Sequence, residues 1–327
     1  MLPSGPSRRE FLRACAAAAA YAAAGKAGVA AAMAPPKSRV VVARDPALRG
    51  AGKTPGSARV LALLDRALMA CYGRDNPLEA WKKAVRPGET VGLKVNCLGG
   101  RGMSTSVVLV DAICERLQQA GIREEDIVIW DRLESDLESG GFRARGKVRC
   151  IGNDSAGYED DLEEFGSVGS LLSRTLTRTC DAVINLPVLK DHGITGMTAA
   201  LKNLFGAIHN PNKYHPNGGD PYIADVNMLA PLRRKVRLHL CDAFTAQYEG
   251  GPSCMPQWQW AYNGLLVSGD PVALDYTAWQ IIERKRAEKG MKSLAAAQRA
   301  PSYIATAADA RHQLGTNDPH RIERLEV

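Results

Sequence analysis

Three of the chain's six histidines, His192, His209 and His215, fall within one short segment. Imidazole binds transition metals and moves protons near neutral pH. His192 therefore reads as a metal ligand or a general base, with His209 and His215 as further metal ligands. Between them stand Lys202 and Asn203. A lysine there could take part in catalysis, hold an anionic group or anchor a cofactor, with Asn203 beside it as a binding residue. Gly193 and Gly196 would allow close backbone approach to a ligand. The competing reading is a solvated loop with a surface lysine.

A second candidate is the run Cys97-Leu98-Gly99-Gly100-Arg101-Gly102-Met103-Ser104, which precedes a helical pattern. Backbone amides at Gly100 and Gly102, with Asn96 and Arg101, could cradle a phosphate or carboxylate. The spacing matches neither a dinucleotide-binding nor a Walker loop, and a plain turn remains open. Lys94 interrupts an apolar run, which is costly without a partner. It is read as a catalytic or substrate-holding group. Asp242, at a strand end, could be a metal ligand, a histidine orienter or a helix cap. His239 reads as a strand residue and Asp270 as an N-cap.

These residues must be positioned by alternating strands and helices. Strands are predicted at 39–43, 89–96, 126–131, 147–152, 180–186, 236–242 and 265–267. Helices are predicted at 58–72, 104–120, 198–208 and 270–286, the last with Pro271 in its first turn. Strand–helix alternation implies a mainly parallel sheet flanked by helices. The expected fold is a single compact α/β domain with long functional loops at 134–170 and 209–223. Ligands in such sheets bind beyond the carboxyl ends of the strands, which is where the two candidate segments fall.

The chain has 327 residues, a net charge of +7 and a pI near 9.0. Ser7-Arg8-Arg9-Glu10-Phe11-Leu12-Arg13 resembles a twin-arginine export motif. An Ala-rich run follows, and Ala32-Met33-Ala34 is a candidate cleavage site. Residues 1–34 are therefore expected to be an export signal read by the twin-arginine machinery, with an α/β domain over 35–327 and a periplasmic location. Removing Arg8, Arg9, Arg13, Lys26 and Glu10 from 42 basic and 35 acidic residues leaves +4. That is an ordinary soluble surface, with no aromatic-rich basic motif to suggest nucleic acid. Lys26 interrupts the run and alanine is weakly apolar, so no permanent membrane anchor is expected. The seven cysteines beyond position 34 show no C-x-x-C spacing, so no iron–sulfur motif is read; buried apolar roles suit most of them.

Several of these segments together are recognisable. Asp181 to His215, above all Asn185-Leu186-Pro187-Val188-Leu189-Lys190-Asp191-His192 through Lys202-Asn203-Leu204-Phe205-Gly206, resembles domain-of-unknown-function family 362. Lys94-Val95-Asn96, Trp130-Asp131-Arg132, Cys241-Asp242-Ala243 and Asp270 to Asp275 belong to the same likeness. A more distant similarity is to the N-terminal domain of nickel-pincer lactate racemase, where a lysine ten positions after a histidine carries the cofactor. His192 and Lys202 have that spacing, although Ala199-Ala200-Leu201 precede the lysine here. The resemblance implies a shared site position. The function expected is an exported enzyme, dependent on a metal or another cofactor, with redox or isomerase chemistry on a small anionic hydroxylated substrate. The alternative is a periplasmic carrier of a metal, cofactor or anion.

Overall fold

A computed structural model describes residues 37–327, which form one compact unit. The export motif and cleavage site lie outside the described residues. The described residues hold twelve strands: β1 (Ser38–Arg44), β2 (Val91–Lys94), β3 (Ile127–Asp131), β4 (Arg149–Gly152), β5 (Glu163–Phe165), β6 (Val168–Ser170), β7 (Ala182–Asn185), β8 (Val188–His192), β9 (Gly196–Thr198), β10 (Val236–Gln247), β11 (Gln259–Ser268) and β12 (Ile322–Glu326). Ten of them build one sheet in the order β12-β1-β11-β10-β7-β2-β3-β4, with β8 against β10 and β9 against β8. Pairing is parallel through β10-β7-β2-β3-β4, at β1-β12 and at β10-β8. It is antiparallel at β1-β11, β10-β11 and β8-β9. The sheet is thus mainly parallel, as expected.

Successive residues feed opposite faces of a strand. Leu240 and Leu265 enter the layer covered by helices Ser57–Tyr72 and Val107–Gln119. Cys241 and Leu266 enter the other layer, with Val272, Ala278 and Ile282 of helix Pro271–Glu288. Asp270 caps that helix, its carboxylate accepting from the amides of Val272 and Ala273. No helix among the described residues is long and apolar enough to cross a membrane. The seven described cysteines are free, and burial pushes most of their thiols up.

Two expectations are corrected. Residues 134–170 are not one loop. They hold helix Glu134–Gly140, β4 and the β5–β6 hairpin, because Leu137 and Phe142 pack into one core layer and Val168 into the other. The helix expected over 198–208 is one α-turn, Ala200–Asn203, continued as a 3-10 turn, Leu204–Ala207. The segment after Pro187 continues the sheet as β8. Its five residues are all buried, so it lacks the alternation that marks a half-exposed strand.

Candidate functional site

β2, β3 and β7 run parallel, so their carboxyl ends open on the same side. Lys94 ends β2, Asp131 ends β3, and β8 carries Lys190 and His192 just beyond β7. The turn Ala200–Ala207 and the segment at 211–215 close the other side. Together they border a cleft of about 390 Å³.

The cleft is rich in cations with unequal partners. Lys94 Nζ is buried against Asp131 Oδ1 at 2.7 Å and donates to the Val95 carbonyl at 2.7 Å. The carboxylate of Asp131 also accepts from the Cys97 and Arg132 amides. Gly206 makes room for this pair, since a Cβ there would lie 2.7 Å from Lys94 Nζ and 3.0 Å from Asp131 Oδ1. Lys190 Nζ finds only neutral acceptors: Asn96 Oδ1 at 2.9 Å, the Pro252 carbonyl at 3.2 Å and the Met103 carbonyl at 3.3 Å. Burial holds its pKa down to about 8. Lys202 Nζ sits 4.0 Å from the Phe205 ring centroid and has no hydrogen-bond partner among the described residues. Burial, then the charges of Lys190 and Arg132, hold its pKa down to about 7.

A row of amides forms the floor, with Asn96 and Asn203 bordering the cleft and Asn185 buried behind them. Asn96 Nδ2 donates to Asn203 Oδ1 at 2.8 Å, and Asn203 Nδ2 donates to Asn185 Oδ1 at 2.7 Å. Asn185 Nδ2 meets His239 Nδ1 at 3.0 Å. The amide group of Asn185 donates, so this ring nitrogen accepts.

The two cleft imidazoles differ. His192 Nδ1 accepts from the Ile194 and Thr195 amides, each at 3.2 Å. The proton of the neutral ring therefore sits on Nε2. Burial and the positive charge of Lys202 hold the His192 pKa down to about 2, so the ring stays neutral. His215 Nδ1 lies 3.3 Å from the Asn212 carbonyl, which can only accept. Its proton is on Nδ1, and Nε2 keeps the lone pair. Burial, then Lys202, lowers the pKa of His215 as well.

The structure thus brings Lys94, Asn96, His192, Lys202, Asn203 and His215 to one cleft. It separates others. His209 is exposed and packs edge-on to Tyr158. Gly100, Arg101 and Gly102 do not border the cleft, and Arg101 is exposed. Asp242 is buried in β10. Its Oδ2 accepts from the Ser106 amide at 2.7 Å, at the start of helix Val107–Gln119, and its Oδ1 from Phe244. Both carboxylate oxygens of Asp242 are thus engaged by backbone amides. Among the described residues, no three His, Cys, Asp or Glu gather where a metal ion could bind.

Sequence reasoning missed Lys190, Asp131, Arg132 and Asp275 as site residues. Asp275 is buried on helix Pro271–Glu288. Its carboxylate accepts from the amides of Ala200 at 2.6 Å and Leu201 at 3.2 Å, so it holds the turn that presents Lys202 and Asn203. A signal for Asp131 existed: a lysine in a buried strand asks for a carboxylate, and Asp131 ends the neighbouring strand. Nothing local marks the contact of Asp275 with residues 200 and 201.

Residues 91–280 match the family described as Domain of unknown function (DUF362). The chain belongs to this family. The DUF362 match spans every cleft residue from Lys94 to Pro252, as well as Asp275. A thylakoid-associated protein of Synechocystis sp. is 27% identical over 220 residues, covering 63% of this chain and 67% of its own length. A crystal structure of a Thermotoga maritima protein is similar at 11% identity with a TM-score of 0.44. That likeness covers 72% of this DUF362 chain, which spans only 60% of that one.

Proposed function

We propose that the protein is an exported enzyme whose cleft binds a small anionic, hydroxylated substrate for isomerase or redox chemistry. The observation that carries this is Lys190 and Lys202: two buried amines facing one cleft, neither with a carboxylate partner. Buried cations are ordinarily paired. Here the missing partner is an anion of the right size. The carboxylate would sit among Lys190, Lys202 and Arg132. The lone pair on His215 Nε2 suits a general base, and His192 Nε2–H suits a donor to the substrate's oxygen.

Export rests on Ser7-Arg8-Arg9-Glu10-Phe11-Leu12-Arg13 and the Ala-rich run after it. The thylakoid association of the relative is compatible with such a route. The likeness to nickel-pincer lactate racemase stops at spacing. A histidine whose Nδ1 already accepts two amides, leaving its proton on Nε2, does not fit as a metal ligand beside Lys202.

The test is calorimetry of the protein with lactate, malate and phosphate, followed by a turnover screen of small hydroxy acids. Binding that disappears in the Lys190→Met, Lys202→Met double variant supports the reading. Equal behaviour of the double variant overturns it. Tight binding without any turnover would favour the second reading, a periplasmic anion carrier.

A further inference from the structure

Lys202 differs from every other charged group in the cleft. Lys94 has Asp131, Arg132 has Asp136 at 3.1 Å, and Lys190 has three oxygen acceptors. Among the described residues Lys202 Nζ has only the face of Phe205. An amine held by a ring face keeps its lone pair free once it loses its proton. Two groups suited to a carboxylate stand near it: Lys190, and Arg132, whose buried Nε has no partner. A hydrogen-bond donor for a neighbouring oxygen is also present in the proton of His192 Nε2.

We propose that Lys202 Nζ is a nucleophile that forms an imine with the carbonyl carbon of a small 2-oxo acid bound in this cleft. The inference rests on the reading of the cleft as an anionic-substrate site and names the substrate class for it. The nitrogen lone pair attacks the carbonyl carbon, and the π electrons move to oxygen, which accepts a hydrogen bond from His192 Nε2–H. The two amine hydrogens leave with that oxygen as water. A carbon–nitrogen double bond replaces the carbon–oxygen one, with no change of oxidation state. Lys190 and Arg132 hold the carboxylate so that the carbonyl faces Nζ. Burial supplies the neutral amine, because the Lys202 pKa is held down to about 7. Near pH 7 an ordinary lysine is neutral only at about four parts in ten thousand.

The experiment incubates the full chain with pyruvate and sodium borohydride near pH 7 and locates the reduced adduct by peptide mass spectrometry. A carboxyethyl group on Lys202 is expected, roughly a thousandfold above that on an ordinary exposed lysine, because of the difference in neutral amine. Excess lactate, which has no carbonyl, should suppress it. Lys202→Arg, which cannot form the imine, should abolish the cleft adduct while labelling of surface lysines stays as in the unaltered protein. Absence of a Lys202 adduct while lactate still binds overturns the imine and leaves the anion site standing. Labelling spread evenly over surface lysines also overturns it. Failure of both lactate and pyruvate to bind removes the anionic-substrate reading as well.

Discussion

His192 and His215 stack with ring centroids 5.6 Å apart and planes 22° from parallel. Backbone contacts nevertheless leave opposite chemistry at their Nε2 atoms. Two amides point at His192 Nδ1, so its Nε2 donates. A carbonyl faces His215 Nδ1, so its Nε2 accepts. Long-range nitrogen–proton NMR should show the proton on Nε2 of His192 and on Nδ1 of His215. The same tautomer in both rings would contradict the assignment.

This difference separates two variants. His192→Asn places an acceptor near the Nδ1 position, keeping the Ile194 and Thr195 amides satisfied while removing the Nε2–H donor. Folding stability should be nearly unchanged. His215→Ala should lower turnover by roughly 10²–10⁴-fold, the usual contribution of a general base. Steady-state kinetics on whichever hydroxy acid turns over would check both. A larger loss in His192→Asn than in His215→Ala would reverse the roles.

The lysines set a pH window for binding. Lys202 and Lys190 have pKa values held down to about 7 and about 8. A bound anion favours the charged form of the lysine it meets and raises that lysine's value; a 2-oxo acid held by Lys190 and Arg132 raises that of Lys190. Affinity is then fully present below about pH 7 and falls as pH rises through the bound-state values. At pH 8 binding should take up protons. Calorimetry in buffers of different ionisation heat measures this directly; proton release would be the contrary result.

The same burial costs stability. The folded Lys202 pKa lies below the unfolded value of 10.5. Between about pH 7 and 10.5 the unfolded chain therefore binds more protons, and stability rises with pH across that window. Below pH 7 the full burial cost is present. Lys202→Met should stabilise the protein at pH 6, on the order of 1–4 kcal/mol by analogy with other buried-charge replacements. It should flatten the slope between pH 7 and 10. Urea titrations of both proteins at several pH values provide the comparison.

Asp275 shows the opposite sign. Burial pushes its carboxyl up to about 8 against the ordinary 3.8. The folded state keeps a proton that the unfolded chain has lost, so this group's contribution erodes as pH rises from about 4 to 8. Asp275→Asn turns an NH₂ toward one of the two amides at Ala200 and Leu201. It should cost about 1–3 kcal/mol and also weaken anion binding, because the turn carrying Lys202 loses its anchor. Loss of stability with undiminished binding would disconnect Asp275 from the cleft.

Gly206→Ala tests the Lys94–Asp131 pair without touching either charge. The added methyl would meet Lys94 Cε and Nζ at 2.7 Å. Breaking a buried pair costs roughly 3–5 kcal/mol. A fall in melting temperature is expected, and wild-type stability would show that Lys94 has another low-energy position.

The alternation of strands and helices was legible because apolar periodicity is local. So was the position of the cleft, since parallel strands direct their carboxyl ends to one side. Lys94, His192, Lys202 and His215 stood out as polar residues beside buried runs. Asp242 stayed open because a carboxylate at a strand end looks the same whether it serves a ligand or, as here, the amide of Ser106 at the start of a helix. The glycine run at 99–102 misled for a related reason. Gly99 is the one close to the cleft, where a Cβ would crowd Lys190 Nζ at 3.1 Å, while Gly100 and Gly102 supply left-handed turns outside it. Lys190 was hidden inside a strand whose five residues are all buried, so no periodicity set it apart.

The row Lys190–Asn96–Asn203–Asn185–His239 has a direction. An ammonium can only donate, and at the other end His239 Nδ1 accepts. Each amide between them is therefore locked: reversing any one would set two donors or two acceptors face to face. The floor behaves as a single polarised unit, not as separate side chains. A ligand arriving above it meets dipoles already aligned and has none to reorient, so its affinity is not reduced by rearranging the protein beneath it.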